Sequence, residues 1–539
     1  MPPRGEAFNK FSFDFPEPSV AFGGFEFGFL VFSYENAYSL DAAALTATGD
    51  ENQLTLRCTR LAWAGGQEHV EGELVAVLRR VEGGQVEWNI TVSMGQPIKS
   101  VSTVIRGIPR GRISTGGGPF DPRDNEILFG YPFGAGDLFG GNTARGLGTP
   151  LAMVQAQQGV YFISSRDTQV RAKRFYFQPG ESGYRVEAVH EFGGWERSNR
   201  VTVPAWRAGR AESIEAATND HYAHLERAYR LVPFEARTDT PPWVANVGLV
   251  HAVHLMHYTG YIFNDYAKTL DILRWSAERY PANQTLVFLA AWDGRYYWDY
   301  PNYTTSERLG GDAGFARLVS EGRRLGFHIM PMFGMNAVNR HQPVYRRLAD
   351  AETARIDGNN FSLDWVDWDN DRHQEGWLAY MNLGVDSWRR HLTARIAGCI
   401  DRYGVDGYFL DISGGWVNNT KADMHEGTRQ LVMDLRQRYP GVLACGEFTY
   451  DALYELFPMF HVYSSRGAKY SKFFSHLSHP APGRGSSGVH ESGFGRFNAE
   501  TLALADGTIP TITVVDDTFS AQRETMEAIV RRARERAGL

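Results

Sequence analysis

The strongest constraint on the fold is an alternation of short apolar runs and helical patterns that begins after Pro241–Pro242. Short apolar runs predict strands that are buried on both faces, and the segments between them repeat apolar residues at helical spacing. About eight such units in roughly 300 residues are typical of a (β/α)8 barrel. An open doubly wound sheet is the alternative, but no glycine-rich phosphate-binding fingerprint follows any predicted strand. The predicted strands are 244–250, 285–292, 328–334, 407–412, 442–448, 461–465, a segment near 489–497, and 508–515.

Capping residues predict where the helices of this region begin and end. Asp312, Asp386 and Asp423 each precede a helical pattern and are typical N-caps. Gly326 and Gly404 predict two of the helix ends, because glycine adopts the left-handed conformation found there. A last helix is predicted from Ser520 to about Ala537.

The region before residue 210 has a different pattern, in which short alternating strands are separated by Gly-Gly pairs. This pattern predicts an all-β domain, and we expect an N-terminal β-sandwich over residues 1–210. Residues 211–240 then form a helical linker, and residues 241–539 form the barrel. A long segment rich in glycine and proline, 111–142, is either irregular or a functional loop that reaches towards a neighbouring active site.

Charge and cysteine content exclude several classes of protein. A net charge of −7 without basic runs argues against nucleic-acid binding. Three cysteines are too few for a disulfide framework or a cysteine-rich metal site. No apolar stretch approaches the ~18 residues that cross a bilayer. The N-terminus lacks an apolar signal region, so we expect a cytoplasmic protein, although a secreted chain after signal-peptide removal would look the same.

Neither a metal nor a cofactor is expected. His251, His254 and His257 are three residues apart, and on a helix they would not all share one face. On a strand His254 points away from the other two. A zinc site there is therefore a weak hypothesis, and a hydrogen bond from one of them to a substrate is favoured.

Chemistry in such a barrel lies where strands end and loops begin. The fourth predicted strand ends in Asp411 and the fifth ends in Glu447. A carboxylate directly after a buried apolar run costs several kcal/mol unless it is paired or used. Either residue alone could be a helix cap or part of a structural salt bridge. Two such residues on adjacent strands favour a catalytic pair.

The loops at the same predicted edge favour carbohydrate. Aromatic residues make up 13% of the chain, and the loops 292–303, 364–377 and 413–419 mix aromatic rings with carboxylates and asparagines. Rings stack on the CH faces of sugars and carboxylates bind hydroxyl groups, although some of these rings could instead pack as core. The substrate-binding candidates are Trp292, Asp293, Asn336, Trp416, Arg466, His490 and Asp516.

Several of these segments resemble a known family. The stretch GVDGYFLD (404–411), followed by a helix and then CGEF (445–448), resembles the catalytic strands of retaining α-glycosidases, including the α-amylase family. A closer likeness is to the endo-α-N-acetylgalactosaminidase-type glycoside hydrolases. These also carry Trp-Asp, Tyr-Pro-x-Tyr and Gly-Gly segments, which are here Trp292–Asp293, Tyr300–Pro301–Asn302–Tyr303 and Gly310–Gly311.

The resemblance implies a β-sandwich joined to a catalytic barrel, with Asp411 as the nucleophile and Glu447 as the general acid/base. Two departures from related families stand out. The α-amylase family has an arginine two residues before its nucleophile, where this chain has Phe409. The α-galactosidase-type barrels carry their acid as an aspartate on strand six, and HVYSSRG (461–467) offers no carboxylate.

The predicted activity is hydrolysis of an α-glycosidic bond with retention, on a glycoside or oligosaccharide. Glycosidic cleavage needs one ionised and one protonated carboxyl group on either side of C1. One alternative is a non-catalytic carbohydrate-binding protein on a decayed barrel. Another is a transglycosidase or isomerase that uses the same carboxylates. Sugar identity and oligomeric state stay open.

Overall fold

The computed structural model divides the chain into two compact units. It describes residues 17–115, 119–120, 127–132, 145–362, 371, 375–461, 472–477 and 508–539. The first unit comprises Met1–Leu231, Gly415–Thr420 and Tyr450–Ala452. The second unit comprises Val232–Gly414, Lys421–Thr449 and Leu453–Leu539.

The described residues of the first unit form a hydrogen-bonded sheet of 17 strands, which pair antiparallel except for one parallel contact, between Ile127–Tyr131 and Arg145–Gly146. Inward apolar and outward polar residues alternate along strands such as β7, VEWNITVSM, as expected when one face covers a core. The strands are β1 Ser19–Phe22, β2 Phe25–Ser33, β3 Ala37–Leu40, β4 Leu45–Gly49, β5 Gln53–Trp63, β6 Glu68–Arg80, β7 Val86–Met94, β8 Ile98–Ile108, β9 Arg112–Ser114, β10 Pro119–Phe120, β11 Ile127–Tyr131, β12 Arg145–Gly146, β13 Leu151–Ala156, β14 Gly159–Ser165, β15 Lys173–Pro179, β16 Tyr184–Glu191 and β17 Arg200–Ala211.

Aromatic side chains fill the core of this sheet. Phe27 on β2 contacts Trp88 on β7, with ring centroids 5.3 Å apart. Phe175 on β15 contacts Trp206 on β17 at 5.5 Å. Neither pair of strands is hydrogen-bonded to each other, so the sheet folds back over its own apolar face. One helix follows β17, α1 Ile214–Ala228, and the side chain of Ser213 caps its N-terminus.

In the described residues, the second unit contains eight parallel strands. Their spatial order is β26 (Ser475–Leu477), β25 (Met459–His461), β24 (Leu443–Glu447), β23 (Gly407–Asp411), β20 (His328–Gly334), β19 (Thr285–Ala290), β18 (Leu249–His254) and β27 (Thr511–Val514). The last strand in the chain pairs with the first, Val250 lying opposite Thr511. Phe288 on β19 contacts Phe409 on β23 at 4.7 Å although β20 lies between their strands, so the sheet curves around these side chains. A two-stranded antiparallel sheet, β21 with β22, lies in the segment between β20 and β23.

The elements of the second unit alternate strand and helix along most of its length. Its strands are β18 Leu249–His254, β19 Thr285–Ala290, β20 His328–Gly334, β21 Ala337–Asn339, β22 Leu378–Tyr380, β23 Gly407–Asp411, β24 Leu443–Glu447, β25 Met459–His461, β26 Ser475–Leu477 and β27 Thr511–Val514. Its helices are α2 Tyr266–Ala277, α3 Gly311–Leu325, α4 Asp386–Tyr403, α5 Met424–Arg438, α6 Thr518–Ala521 and α7 Arg523–Ala537.

The helix caps test the capping predictions residue by residue. The side chain of Asp423 accepts hydrogen bonds from the first turn of α5, which confirms that prediction. Gly326 and Gly404 end their helices with φ of +110° and +68°, also as predicted. The prediction was wrong for Asp312 and Asp386, because both lie inside the first helical turn, where the helix dipole favours a carboxylate without a cap bond.

The first and sixth predicted strands are displaced. The segment predicted as the first strand, 244–250, begins in a 3-10 helix, Pro242–Asn246, and the strand itself is Leu249–His254. The sixth strand ends at His461, where the prediction has it begin. The next described strand is Ser475–Leu477, and the strand predicted near 489–497 lies outside the described part of the chain. Parts of the 111–142 segment are also outside it. Among the described helices, none is long and apolar enough to cross a bilayer.

Candidate active site

The two predicted catalytic carboxyl groups lie side by side. Asp411 is the last residue of β23 and Glu447 is the last residue of β24, and these parallel strands pair through Leu410 and Gly446. Both side chains are buried, with 5% and 6% of each residue exposed. The next residue in each case, Ile412 or Phe448, has a left-handed backbone, with φ of +58° and +55°. Such backbone costs about 1–3 kcal/mol for a non-glycine residue and clusters at functional sites.

Glu447 is held by several groups of the second unit. The backbone N–H of Ile412 donates to its Oε2 at 2.8 Å, and Nδ1 of His461 lies 3.5 Å from its Oε1. Its backbone N–H donates to Oγ of Ser413 at 2.8 Å, and that hydroxyl donates to the Glu447 carbonyl at 2.9 Å. The left-handed turn at Ile412 therefore brings a backbone donor of one strand end to the carboxylate of the next.

The two carboxyl groups also share a hydrogen bond, which requires a proton on one of them. Burial, the charge of Glu447 and that hydrogen bond raise the pKa of Asp411 well above its usual range. Burial alone would raise the pKa of Glu447 as well, but His461, Asp411 and the Ile412 N–H together lower it below its usual value. The neighbours of Glu447 therefore favour its ionised form, and burial beside that charge favours the protonated form of Asp411.

Asn336 contacts the turn that follows Asp411. Its Nδ2 donates to the carbonyl of Ile412 at 3.1 Å and to the hydroxyl of Tyr380 at 3.0 Å. The residue is buried, and its Oδ1 accepts no hydrogen bond from the described residues. The structure thus brings this predicted substrate ligand to the carboxyl pair, as a support for the strained turn.

Trp292 does not provide the open ring face expected from the sequence. Only 1% of it is exposed, and its Nε1 donates to the carbonyl of Met332 at 2.9 Å. Its ring stacks on Phe315 at 4.9 Å. Both features belong to the packing beneath the strand ends, and the contact of Trp292 with a sugar stays a prediction.

Asp293, the next residue, is the more unusual side chain. It is buried, and neither carboxyl oxygen has a hydrogen-bond partner among the described residues. Burial, followed by the charge of Asp299, raises its pKa well above the usual range. The carboxyl group of Asp293 in turn raises the pKa of Tyr300 and Tyr303 beyond the effect of burial, so these three side chains lie close together.

The aromatic loop reaches the carboxyl pair through Gly334. This glycine ends β20 and lies opposite Asp411 in the parallel register. The hydroxyl of Tyr303 donates to its carbonyl at 3.0 Å and accepts from its N–H at 2.9 Å. A Cβ atom at Gly334 would lie 2.4 Å from the ring of Tyr300, so only glycine allows this approach.

The remaining predicted ligands are dispersed. Asp516 follows β27 and accepts a hydrogen bond from the hydroxyl of Tyr261 at 2.8 Å, beside strand β18. Trp416 belongs to the first unit and is 1% exposed, so its ring has little surface to offer a sugar. Arg466 and His490 lie outside the described residues.

The three histidines near β18 have separate roles. His251 shares a 2.7 Å hydrogen bond with Ser276, and His257 shares one with Thr259. Burial lowers the pKa of His254 to about 4, with a smaller contribution from the charge of His461. In the described part of the chain, no three histidine, cysteine or acidic side chains are grouped as a metal site would need.

His461 is the functional residue that the sequence reasoning missed. It ends β25 and lies beside both Glu447 and Phe409, the latter at 6.2 Å between rings. The apolar run before it, FPMF, carries the signal, because a strand placed there would have ended in His461. Placing the strand after His461 hid it.

Comparison with known proteins identifies the fold. No family model matches the chain, and no curated protein matches its sequence. Among solved structures, the chain is similar to the ligand-free alpha-N-acetylgalactosaminidase NagBb from Bifidobacterium bifidum, with a TM-score of 0.65, 13% identity and coverage of 96% of this chain and 93% of that one. The complex of that protein with GalNAc gives the same values.

A GH36 alpha-galactosidase also matches, AgaA from Geobacillus stearothermophilus, with a TM-score of 0.51, 11% identity and coverage of 94% and 75% of the two chains. At this level of identity the likeness concerns the fold. It confirms, at the level of the fold, the resemblance to α-glycosidases drawn from the sequence. The chain therefore has the fold of an α-glycosidase.

Proposed function

We propose that this protein is a glycoside hydrolase that cleaves an α-glycosidic bond with retention, with Asp411 as nucleophile and Glu447 as general acid/base. One observation carries the proposal: two buried carboxyl groups at adjacent strand ends share a hydrogen bond and have opposite pKa shifts. Two carboxyl groups in different protonation states are what glycosidic cleavage requires. The fold shared with α-glycosidases supports the same reading.

The proposal includes a closed (β/α)8 barrel in the second unit and a β-sandwich in the first. The pairing of β27 with β18 and the contact of Phe288 with Phe409 favour closure. The ring contacts between unpaired strands of the first unit favour two facing layers. In a closed barrel, Asp411, Glu447 and His461 would end three successive strands at the catalytic mouth.

Retention is favoured by how close the two carboxyl groups are. Inverting enzymes separate them by ~6.5–9.5 Å to hold a water molecule, whereas retaining enzymes keep them ~5–5.5 Å apart. The direct interaction of Asp411 with Glu447 favours the shorter spacing over the one that holds a water molecule. A covalent glycosyl intermediate on Asp411 is the route that this geometry favours.

The roles require the shared proton to move. The raised pKa of Asp411 favours its protonated form in the free site, whereas attack on C1 needs Asp411 ionised and Glu447 protonated. The shared hydrogen bond provides the path, because one transfer along it converts the resting state into the reactive one. Glu447 then protonates the leaving oxygen, and after the leaving group departs it takes a proton from the water that attacks the intermediate.

A galacto-configured sugar is the first substrate to test. The similar structures are named for enzymes of α-linked N-acetylgalactosamine and α-galactose. Within this chain, Asp293, Tyr300 and Asp411 each have a buried oxygen that no described N–H or hydroxyl satisfies. Buried polar atoms normally have partners, and the hydroxyl groups of a sugar would supply them.

The test is a panel of aryl α- and β-glycosides with galacto, N-acetylgalactosamino, gluco and xylo configurations. We expect turnover of an α-glycoside and, by NMR, an α-configured sugar as the first product. Binding without release would favour a non-catalytic carbohydrate-binding protein. Transfer or rearranged products would favour a transglycosidase or isomerase. A β-configured first product from an α-glycoside would contradict retention.

A further inference from the structure

Two short segments from the later part of the chain belong to the first unit. They are Gly415–Thr420 and Tyr450–Ala452. The first begins four residues after Asp411, and the second begins three residues after Glu447. The segments that leave the β-strands of the second unit at the two proposed catalytic residues are therefore packed into the β-sheet unit.

Asp451 fixes the second segment. It is 1% exposed and accepts hydrogen bonds from the hydroxyl of Tyr131 at 2.6 Å and the hydroxyl of Thr149 at 2.8 Å. The N–H of Ala452 donates to the same carboxyl at 2.8 Å. The backbone N–H of Asp451 donates to the carbonyl of Gly148 at 2.8 Å. We call this set of contacts the Asp451 anchor.

Asn418 fixes the first segment in the same manner. Its Nδ2 donates to Oε1 of Glu191 at 2.6 Å and to the carbonyl of Phe192 at 2.9 Å. Its Oδ1 accepts from the N–H of Gly194 at 2.9 Å. Glu191 is itself buried and pairs with Arg174 at 2.7 Å. We call this set of contacts the Asn418 anchor.

The hydrogen bonds of the Asp451 anchor and the Asn418 anchor fix the two segments more specifically than apolar packing would. Apolar side chains would hold buried segments at lower cost, because a buried carboxyl or amide must recover its lost hydration through hydrogen bonds. Polar networks fix one geometry, since their bonds are directional. The residues directly after Asp411 and Glu447, Ile412 and Phe448, have left-handed backbone that persists only where the surroundings hold it.

We propose that Asn418 and Asp451 are positioning residues for the reaction, each holding the segment that leaves one catalytic carboxyl group. The inference rests on the proposed function. It gives the β-sheet unit a part in catalysis: Asn418 acts on the backbone after Asp411, and Asp451 acts on the backbone after Glu447. Neither side chain touches the reacting atoms.

The experiment compares Asp451→Ala and Asn418→Ala in the full chain on α-glycosides with good and poor leaving groups. Displacing Glu447 weakens proton donation, so Asp451→Ala should lower kcat tenfold or more for poor leaving groups and less than threefold for activated aryl glycosides. Displacing Asp411 weakens attack, so Asn418→Ala should lower kcat similarly for both substrates. The control is Thr103→Val, which removes a buried 2.9 Å hydrogen bond from Trp88 in the same unit.

If Asp451→Ala does not fold, Tyr131→Phe serves instead, because it removes one donor to Asp451 and keeps the ring. It should show the same preference for good leaving groups, to a smaller degree. Variants that behave like Thr103→Val, losing stability without a change in kcat or in leaving-group dependence, would overturn the inference. Failure of the proposed function is separate: it requires that Asp411→Ala still turns over substrate.

Discussion

The ends of β23 and β24 look alike in sequence and differ in chemistry. In each, a short apolar run ends in a carboxyl residue, and a residue with left-handed backbone follows. Asp411 and Glu447 are equally buried. Yet the pKa of Asp411 is raised well above its usual range and that of Glu447 is lowered.

The difference between the pKa shifts of Asp411 and Glu447 comes from the elements that neighbour each side chain. Glu447 faces His461 at the end of β25, whose Nδ1 lies 3.5 Å from its Oε1, and accepts a hydrogen bond from the N–H of Ile412 at 2.8 Å. Asp411 faces Glu447, and no N–H or hydroxyl of the described residues donates to its Oδ2. Burial raises the free energy of the charged form of both carboxyl groups. Contacts from the adjacent strand then determine which of the two pKa values is raised. The following predictions test this contrast.

Removal of Asp411 should have the largest effect. Asp411→Ala deletes the proposed nucleophile and should slow hydrolysis about a millionfold, on the order of 8 kcal/mol of barrier. In thermal unfolding the variant should be folded and at least as stable as the wild type, because it lacks the buried Asp411 carboxyl group, whose pKa the fold raises. Azide should restore turnover of an activated α-glycoside with inverted product. Near-normal activity without azide would remove Asp411 from the mechanism.

Substitution of Glu447 should depend on the leaving group. Glu447→Gln keeps the shape of the side chain but cannot donate a proton, so poor leaving groups should slow by about 10²–10⁴-fold. Activated aryl glycosides need little protonation and should lose less in the first step. A plot of log kcat/KM against leaving-group pKa should therefore become steeper. Equal losses across the series would favour a structural role for Glu447.

Asp451 offers a third buried carboxyl for comparison. Its donors are neutral hydroxyls and a backbone N–H, and burial raises its pKa to about 6, from 3.8. The folded protein therefore binds this proton more tightly than the unfolded chain. Protonation of Asp451 adds about 3 kcal/mol to the free energy of unfolding below about pH 4. This contribution is lost as the pH rises through about 6.

Denaturant unfolding of the wild type and Asp451→Asn between pH 4 and pH 7 measures that loss. The variant cannot ionise, so the wild type should lose about 3 kcal/mol more of its unfolding free energy across this range. An identical pH dependence in both proteins would show that Asp451 keeps an ordinary pKa in the fold. Tyr38→Phe, in the same unit, is a control without a titratable carboxyl.

The carboxyl pair was predictable because it depends on local pattern. A buried strand that ends in a carboxyl is visible in five consecutive residues, such as GYFLD at 407–411. A helix N-cap whose side chain accepts hydrogen bonds from the first turn, as that of Asp423 does, can be predicted for the same reason. The alternation of parallel strands and helices in the second unit followed from the repeat of such patterns.

What the sequence did not predict depends on contacts between distant elements. His461 acts on Glu447 through a strand of three residues, which is too short to show a periodic pattern. Trp292 and Asp293 are adjacent in a loop full of rings, and only the positions of Phe315 and Met332 decide that Trp292 packs inward. Composition identified an aromatic loop but not which of its rings faces a ligand.

The smallest predicted effect is a change in the pH dependence of kcat/KM. It tests directly why the pKa values of Asp411 and Glu447 shift in opposite directions. His461→Asn removes the imidazole that stabilises ionised Glu447 and keeps a polar side chain of similar size. The active form has one proton on the pair, and without His461 both proton losses occur at higher pH. The bell-shaped profile of kcat/KM should therefore move upward by about one pH unit, equivalent to about 1.4 kcal/mol. His251→Asn, which alters a buried histidine bonded to Ser276, should leave the profile in place. A profile that does not move in His461→Asn would mean that the Ile412 N–H and the shared hydrogen bond suffice to keep Glu447 ionised.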